Sequence, residues 1–215
     1  MKGLKSLSSP LTREELSEGK LALIIIDLQY NLTAQGHGVL KQAEELGVRE
    51  GYEYYYYRIQ NLIIPNIQKL LKNFRDSEMM IVFTKIRSGS SFNDRDQSDD
   101  DSIEDLDDKE GVILKEVMPT NDDIIITKND PDIFSGTGLD QMLRENGINT
   151  LIMAGVLTNE CVQASVLQEV ENGYRVVLVE DSTAAFSEEI HEKAMDIIEE
   201  NSIIITSTED ILELL

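Results

Sequence analysis

The chain has one cysteine, Cys161, among 215 residues. That leaves no intrachain disulfide and fits a reducing compartment. Basic residues are scarce: 19 Lys and Arg stand against 41 Asp and Glu, a formal charge of −22. Such a balance argues against binding nucleic acid or anionic lipid through a basic face. It fits a highly soluble acidic surface. Long apolar runs are missing as well. The longest, Leu21 to Ile26, is far too short to cross a bilayer. The stretch from Met1 to Pro10 lacks the apolar core of a signal peptide. A soluble, cytoplasmic protein without membrane or nucleic-acid partners is expected. No internal repeat is visible.

What the chain does have is a series of short aliphatic runs. Leu21–Asp27, Met79–Lys85, Ile124–Lys128, Thr150–Gly155, Arg175–Glu180 and Ser202–Thr206 read as strands. Their near-continuous apolar character indicates strands covered on both faces, as in a parallel sheet. Helical patterns alternate with them at Glu53–Asp76, Gly138–Asn146, Asn159–Asn172, Ser187–Glu200 and Glu209–Leu214. The expected fold is α/β: three layers, α/β/α, around a six-stranded, mostly parallel, doubly wound sheet. One domain spans 1–215. Gly147 and Gly173 follow helices where a left-handed residue is wanted, and Thr158 and Ser187 precede helices they can cap. The acidic stretch at about 93–110 is too charged to pack and reads as a solvated loop. Tyr54 to Tyr57 point around most of a helix, so not all face one core. Some suit a subunit contact.

Cys161 lies where an apolar strand ends at Gly155 and a helical pattern begins near Thr158. A thiol in the first turn of a helix sees the positive end of the dipole, which favours the thiolate. A thiol pKa below the ordinary value of about 8.5 is therefore expected. Backbone N–H groups of that turn can face a developing oxyanion. Asp27 closes the first apolar run and Lys128 the third. Each is open to a bland reading, as a turn cap or a snorkelling surface cation. Together they put a carboxylate, an ammonium and a thiol at the carboxyl ends of strands, where doubly wound sheets bind ligands.

Several pieces carry a family resemblance: Ile26-Asp27-Leu28-Gln29, Thr84-Lys85-Ile86-Arg87, Thr127-Lys128, Phe134-Ser135-Gly136-Thr137-Gly138-Leu139-Asp140, Gly155-Val156-Leu157-Thr158-Asn159-Glu160-Cys161-Val162 and Val179-Glu180-Asp181-Ser182-Thr183-Ala184-Ala185. Together they resemble the cysteine hydrolase branch of the isochorismatase-like superfamily. The resemblance implies a catalytic triad of Asp27, Lys128 and Cys161. It also implies a cis peptide between Val156 and Leu157, and an oxyanion hole from the Leu157 and Cys161 N–H groups. A homo-oligomer acting on a small-molecule substrate is implied too.

Nicotinamidases of similar pattern carry a histidine-rich metal site after the first strand. Here that region offers only His37. The other histidine, His191, falls in a late helix and reads as solvated. No metal and no cofactor are expected. True isochorismatases generally lack the cysteine, so its presence favours C–N cleavage of a small ureido, carbamoyl or carboxamide compound. The rival readings are a vinyl ether hydrolase with an incidental cysteine and a non-catalytic binding or thiol-sensing protein. Arg87 either pairs with a substrate carboxylate or forms a surface salt bridge. Asn31 and Phe134 are either a polar contact and an aromatic wall of the pocket, or a turn residue and core filler.

Overall fold

The computed structural model describes residues 12, 14, 16, 20–87, 109–201 and 203–215. Six strands form one sheet: β1 Lys20–Ile26, β2 Met80–Ile86, β3 Ile124–Lys128, β4 Ile148–Val156, β5 Arg175–Ala184 and β6 Ile204–Thr206. Their order is β3-β2-β1-β4-β5-β6 and every pairing is parallel. The helices described are α1 Tyr30–Thr33, α2 Gly38–Glu45, α3 Glu53–Arg58, α4 Ile64–Asp76, α5 Leu139–Glu145, α6 Gln163–Glu171, α7 Glu188–Glu199 and α8 Thr208–Leu214. A π turn, Ile59–Ile63, joins α3 to α4, and another, Thr158–Val162, leads into α6. Among the described residues no helix is long and apolar enough to cross a membrane.

Alternation along β1 creates two cores. Leu23 and Ile25 pack with Ile59, Ile63, Ile67, Leu70 and Phe74 on one face. Ala22, Ile24 and Ile26 pack with Leu139, Leu143, Val162, Val166 and Ile198 on the other. An aliphatic run without polar alternation is thus consumed on both sides of the sheet, giving the three layers. The edge strand β3 departs from this. Ile125 is 49 % exposed and only Lys128 is buried. With a single neighbouring strand, β3 is covered less completely than its aliphatic sequence suggests.

The acidic stretch expected as a loop lies outside the described residues up to 108. Gly147 and Gly173 close their helices with φ of 72° and 88°, and the Ser187 Oγ accepts the Ile190 N–H as a cap. Thr158 does not cap. Its hydroxyl turns inward to a side chain of α7. The tyrosines divide as their spacing requires. Tyr55 is buried and donates to the Leu32 carbonyl, whereas Tyr57 is 61 % exposed. Tyr56 lines a cavity of about 230 Å³ with Tyr52, Leu40 and Ala43.

Strand order reverses between β1 and β4, so the loops leaving these strands diverge and open a crevice. The two strands meet closely there, with Ile26 opposite Gly155. Gly155 has φ 126°, and a Cβ on it would stand 2.1 Å from the Ile26 carbonyl oxygen. Only glycine allows this approach. A Gly155→Ala variant is expected to lose at least about 3 kcal/mol of stability, since backbone strain and a clash act together. Urea unfolding reads this directly, and an unchanged midpoint would contradict the packing described.

Candidate active site

Asp27 follows the last residue of β1 and is fully buried, with a positive φ of 52°. Its backbone N–H donates to the Thr84 carbonyl on β2, and the Thr84 hydroxyl donates to Asp27 Oδ1 at 2.8 Å. The carboxylate is therefore gripped from the neighbouring strand. Lys128 ends β3, one strand further out. Its Nζ lies 2.8 Å from Asp27 Oδ2 and 3.2 Å from Cys161 Sγ. The same ammonium donates to the carbonyls of Asp130 (3.1 Å) and Pro131 (3.3 Å). Every proton of the buried cation thus has an acceptor, as a buried charge requires.

Cys161 sits in the π turn after β4 and is 4 % exposed. The Val156–Leu157 peptide that precedes the turn is cis. The Leu157 carbonyl accepts the N–H groups of both Glu160 and Val162. Glu160 interrupts the turn with non-helical angles, φ −127° and ψ −105°. The thiol therefore stands before the regular helix, in a turn of its own. Ser165, four residues on, donates to the Cys161 carbonyl at 2.6 Å and accepts the Ile133 N–H at 3.2 Å. That hydroxyl ties the turn to the loop whose carbonyls hold Lys128.

The expected depression of the thiol pKa is not found. Burial, and then the negative charge of Asp27, push the Cys161 thiol up to about 12, with Lys128 opposing. Burial alone would lower Lys128, but Asp27 and Cys161 raise it above the ordinary range. The site therefore holds the Asp27–Lys128 ion pair beside a neutral thiol. Helix-dipole reasoning left out the carboxylate, which lies close enough to repel a thiolate.

His191 also differs from its expectation of a solvated ring. It is 8 % exposed, and its Nδ1 lies 2.9 Å from the Thr158 hydroxyl. Tyr54 flanks the ring at 6.4 Å between centroids. Burial, and then the positive charge of Arg58, lower its pKa to about 4. The α7 pattern contains charged residues on both sides of His191, which masked its inward direction. Thr84 and Ser165 were likewise not singled out for roles. The position of Ser165 one helical turn after the cysteine was the available signal.

The remaining sequence candidates are scattered. Asn31 lies in α1, and its Oδ1 is buried without a hydrogen-bond partner. Arg87 is exposed just beyond β2, and its backbone N–H donates to the Lys128 carbonyl. Phe134 packs on the second core, with its ring 5.8 Å from that of Tyr174. Gln29, buried near Asp27, bonds through its amide to both N–H and carbonyl of Ile86 and to the Gly111 carbonyl. It locks the ends of β1 and β2 together. His37 pairs with Glu110 at 3.0 Å. Among the described residues no group of three or more His, Cys, Asp or Glu side chains is placed to hold a metal.

Two outcomes are expected. Asp27→Asn removes the charge that raises the thiol, so iodoacetamide alkylation of Cys161 should titrate at lower pH than in the parent protein. A midpoint that stays put or rises would contradict this electrostatic account. His191 has a folded pKa below that of the unfolded chain, so its contribution to stability is fully present above about pH 6.5 and is lost as pH falls toward about 4. The stability of the parent relative to His191→Gln should thus decline over that window. A pH-independent difference in urea midpoints would contradict it.

The family model for the isochorismatase domain matches residues 21–210. YwoC of Bacillus subtilis, an uncharacterized isochorismatase family protein, is 26 % identical over 155 residues, covering 70 % of this chain and 82 % of YwoC. The ureidoacrylate amidohydrolase RutB of Agrobacterium fabrum is 35 % identical over 72 residues, 34 % of this chain and 32 % of RutB. In structure, a cysteine hydrolase of Pseudomonas syringae pv. phaseolicola superposes with a TM-score of 0.72 at 22 % identity, covering 97 % of this chain and 98 % of that one. With the match running from β1 into α8, the chain belongs to the isochorismatase family.

Proposed function

We propose that this isochorismatase-family hydrolase cleaves a C–N bond of a small ureido, carbamoyl or carboxamide compound through a thioester on Cys161. The observation that carries the reading is the Lys128 ammonium, 2.8 Å from the Asp27 carboxylate and 3.2 Å from the Cys161 sulfur. A base, a nucleophile and a fixed positive charge thus share one buried site. Similarity to a ureidoacrylate amidohydrolase and to a cysteine hydrolase supports the same chemistry. Cytoplasmic, homo-oligomeric action belongs to this reading, with the exposed Tyr57 and Leu46 suited to a subunit contact.

The neutral thiol sets the order of events. Sulfur attacks the substrate carbonyl carbon as its proton passes to Asp27. Negative charge moves from the carboxylate to the substrate oxygen while Lys128 stays positive beside both. The oxyanion is received by the backbone N–H groups of Leu157 and Cys161, a kind of contact worth ~10²–10³ in rate per donor. The tetrahedral adduct collapses, the C–N bond breaks, and Asp27 returns its proton to the departing nitrogen. Water, deprotonated by Asp27, then attacks the thioester. The acid product leaves, and the sulfur regains a proton. Thr84 keeps Asp27 aimed throughout by its bond to Oδ1.

An ammonia-release screen across small ureides, N-carbamoyl amino acids and carboxamides tests the proposal. At least one class should be turned over, and Cys161→Ala and Cys161→Ser should lose at least about 10³-fold in kcat with native far-UV spectra. An acylated cysteine should be trapped by acid quench and seen by intact mass. Retained turnover in the alanine variant would point instead to Asp27-centred ether hydrolysis, and no release from any class would remove the amidohydrolase reading.

A further inference from the structure

His191 is a buried polar residue to which the hydrolytic cycle gives no task, yet it reaches the cysteine turn. Thr158 opens the π turn Thr158–Val162, and its side chain is fully buried. Its hydroxyl lies 2.9 Å from His191 Nδ1 on α7, and that helix packs on the turn. A hydroxyl inside protein needs a partner, and so does an imidazole nitrogen. Here the two satisfy each other across elements that are more than thirty residues apart in the chain.

The ring is itself held in place. Tyr54 of α3 flanks it, with 6.4 Å between ring centroids, and the Arg58 guanidinium lies over Tyr54 at 5.8 Å. Arg58 donates to the Thr183 carbonyl at 2.9 and 3.0 Å and to the Glu180 carbonyl at 2.9 Å. Thr183 stands opposite Gly155 in the sheet, and Ala184 opposite Val156. Contacts therefore run from the end of β5 through Arg58, Tyr54 and His191 to the turn that leaves β4.

The turn depends on such anchors. Glu160 interrupts it with non-helical angles, and regular helix follows only from Gln163. A short irregular turn has no repeating ladder of backbone bonds to fix it, so side chains from packed elements set its position. Ser165 fixes its far end at the Cys161 carbonyl. The Thr158–His191 contact fixes its start.

We propose that His191 is a positioning residue. Acting through the Thr158 hydroxyl, it holds the cysteine turn where the Cys161 sulfur meets Lys128 and where the Leu157 and Cys161 N–H groups face a substrate carbonyl. No contact with a reacting atom is assigned to it. The catalytic half of this proposal rests on the hydrolytic reading; the hold on the sulfur does not.

Cys161 is the sole cysteine and is 4 % exposed. Iodoacetamide labelling at one fixed pH, read by intact mass, therefore reports how often the turn opens. His191→Leu and Thr158→Val should each speed labelling at least about fivefold, and the double variant should be no faster than the faster single, because both remove one contact. His191→Asn keeps a polar atom at the Nδ1 position and Thr158→Ser keeps the hydroxyl, so both should stay within about twofold of the parent. Ile198→Val trims the buried face of the same helix. It should lower the urea midpoint without speeding labelling. Unchanged rates in His191→Leu and Thr158→Val, or an equal acceleration in Ile198→Val, would overturn the proposal.

A second arm uses whichever compound releases ammonia. His191→Leu should lower kcat at least about tenfold with KM within about twofold, because a displaced turn loses transition-state contacts rather than binding. His191→Asn should restore most of the loss. Faster labelling with unchanged kcat would overturn the positioning role. If the parent turns over no compound, the amidohydrolase reading falls and takes the catalytic half with it, and labelling alone decides whether His191 holds the sulfur.

Discussion

A lysine ammonium sealed inside protein is the constraint around which this structure is arranged. Lys128 and Asp27 have no solvent-exposed side-chain surface. Removing such charges from water costs several kcal/mol each, and the loss is offset only by close pairing and full hydrogen bonding. Close pairing is met at 2.8 Å, and contacts from several elements supply hydrogen bonds to the cation and to Asp27 Oδ1, while Asp27 Oδ2 has the ion pair alone. The Thr84 hydroxyl holds the carboxylate, the Asp130 and Pro131 carbonyls hold the cation, and Ser165 ties their loop to the cysteine turn. A buried ion pair is weak evidence for stability. Its persistence beside a thiol points to chemistry, because the same two charges govern when that sulfur can lose its proton.

The parallel sheet makes the convergence possible. Asp27, Lys128 and Cys161 are far apart in the chain but leave the same end of β1, β3 and β4. The reversal of strand order between β1 and β4 opens the space above Asp27, and the close approach at Gly155 brings the cysteine turn down to it. Lys128 reaches across β2 from the edge strand. This explains why its head is buried while Ile125 and Thr127 of the same strand are exposed. Thr158 and His191 support the turn from the other side, as a neutral pair that adds no charge to the crevice.

Much of this architecture was legible in the residues because parallel strands and their helices have strong local periods. Strand β3 was read to its boundaries, and most other ends lie within a few residues. The short helices α1 and α2 were not read, since stretches of four and eight residues carry too little periodic signal. Asp27 and Lys128 stood out because each is a charged residue ending an aliphatic run, and Cys161 because it is the sole cysteine and begins a helical pattern just after the run that ends at Gly155. The direction of the thiol shift was not legible. It depends on how near a carboxylate more than a hundred positions away comes to the sulfur, and local reasoning about a helix end omits that charge. His191 was misjudged for a related reason: its hydroxyl partner belongs to a turn remote in sequence.

The central claim is that the resting site holds a neutral thiol beside an Asp27–Lys128 ion pair. Infrared spectroscopy of the S–H stretch tests it most directly, because a single cysteine gives a single band. The account predicts an S–H band that persists at neutral and mildly alkaline pH, and that is lost at lower pH in the Asp27→Asn variant than in the parent. A parent protein with no S–H band at neutral pH would hold a thiolate at rest and contradict the account.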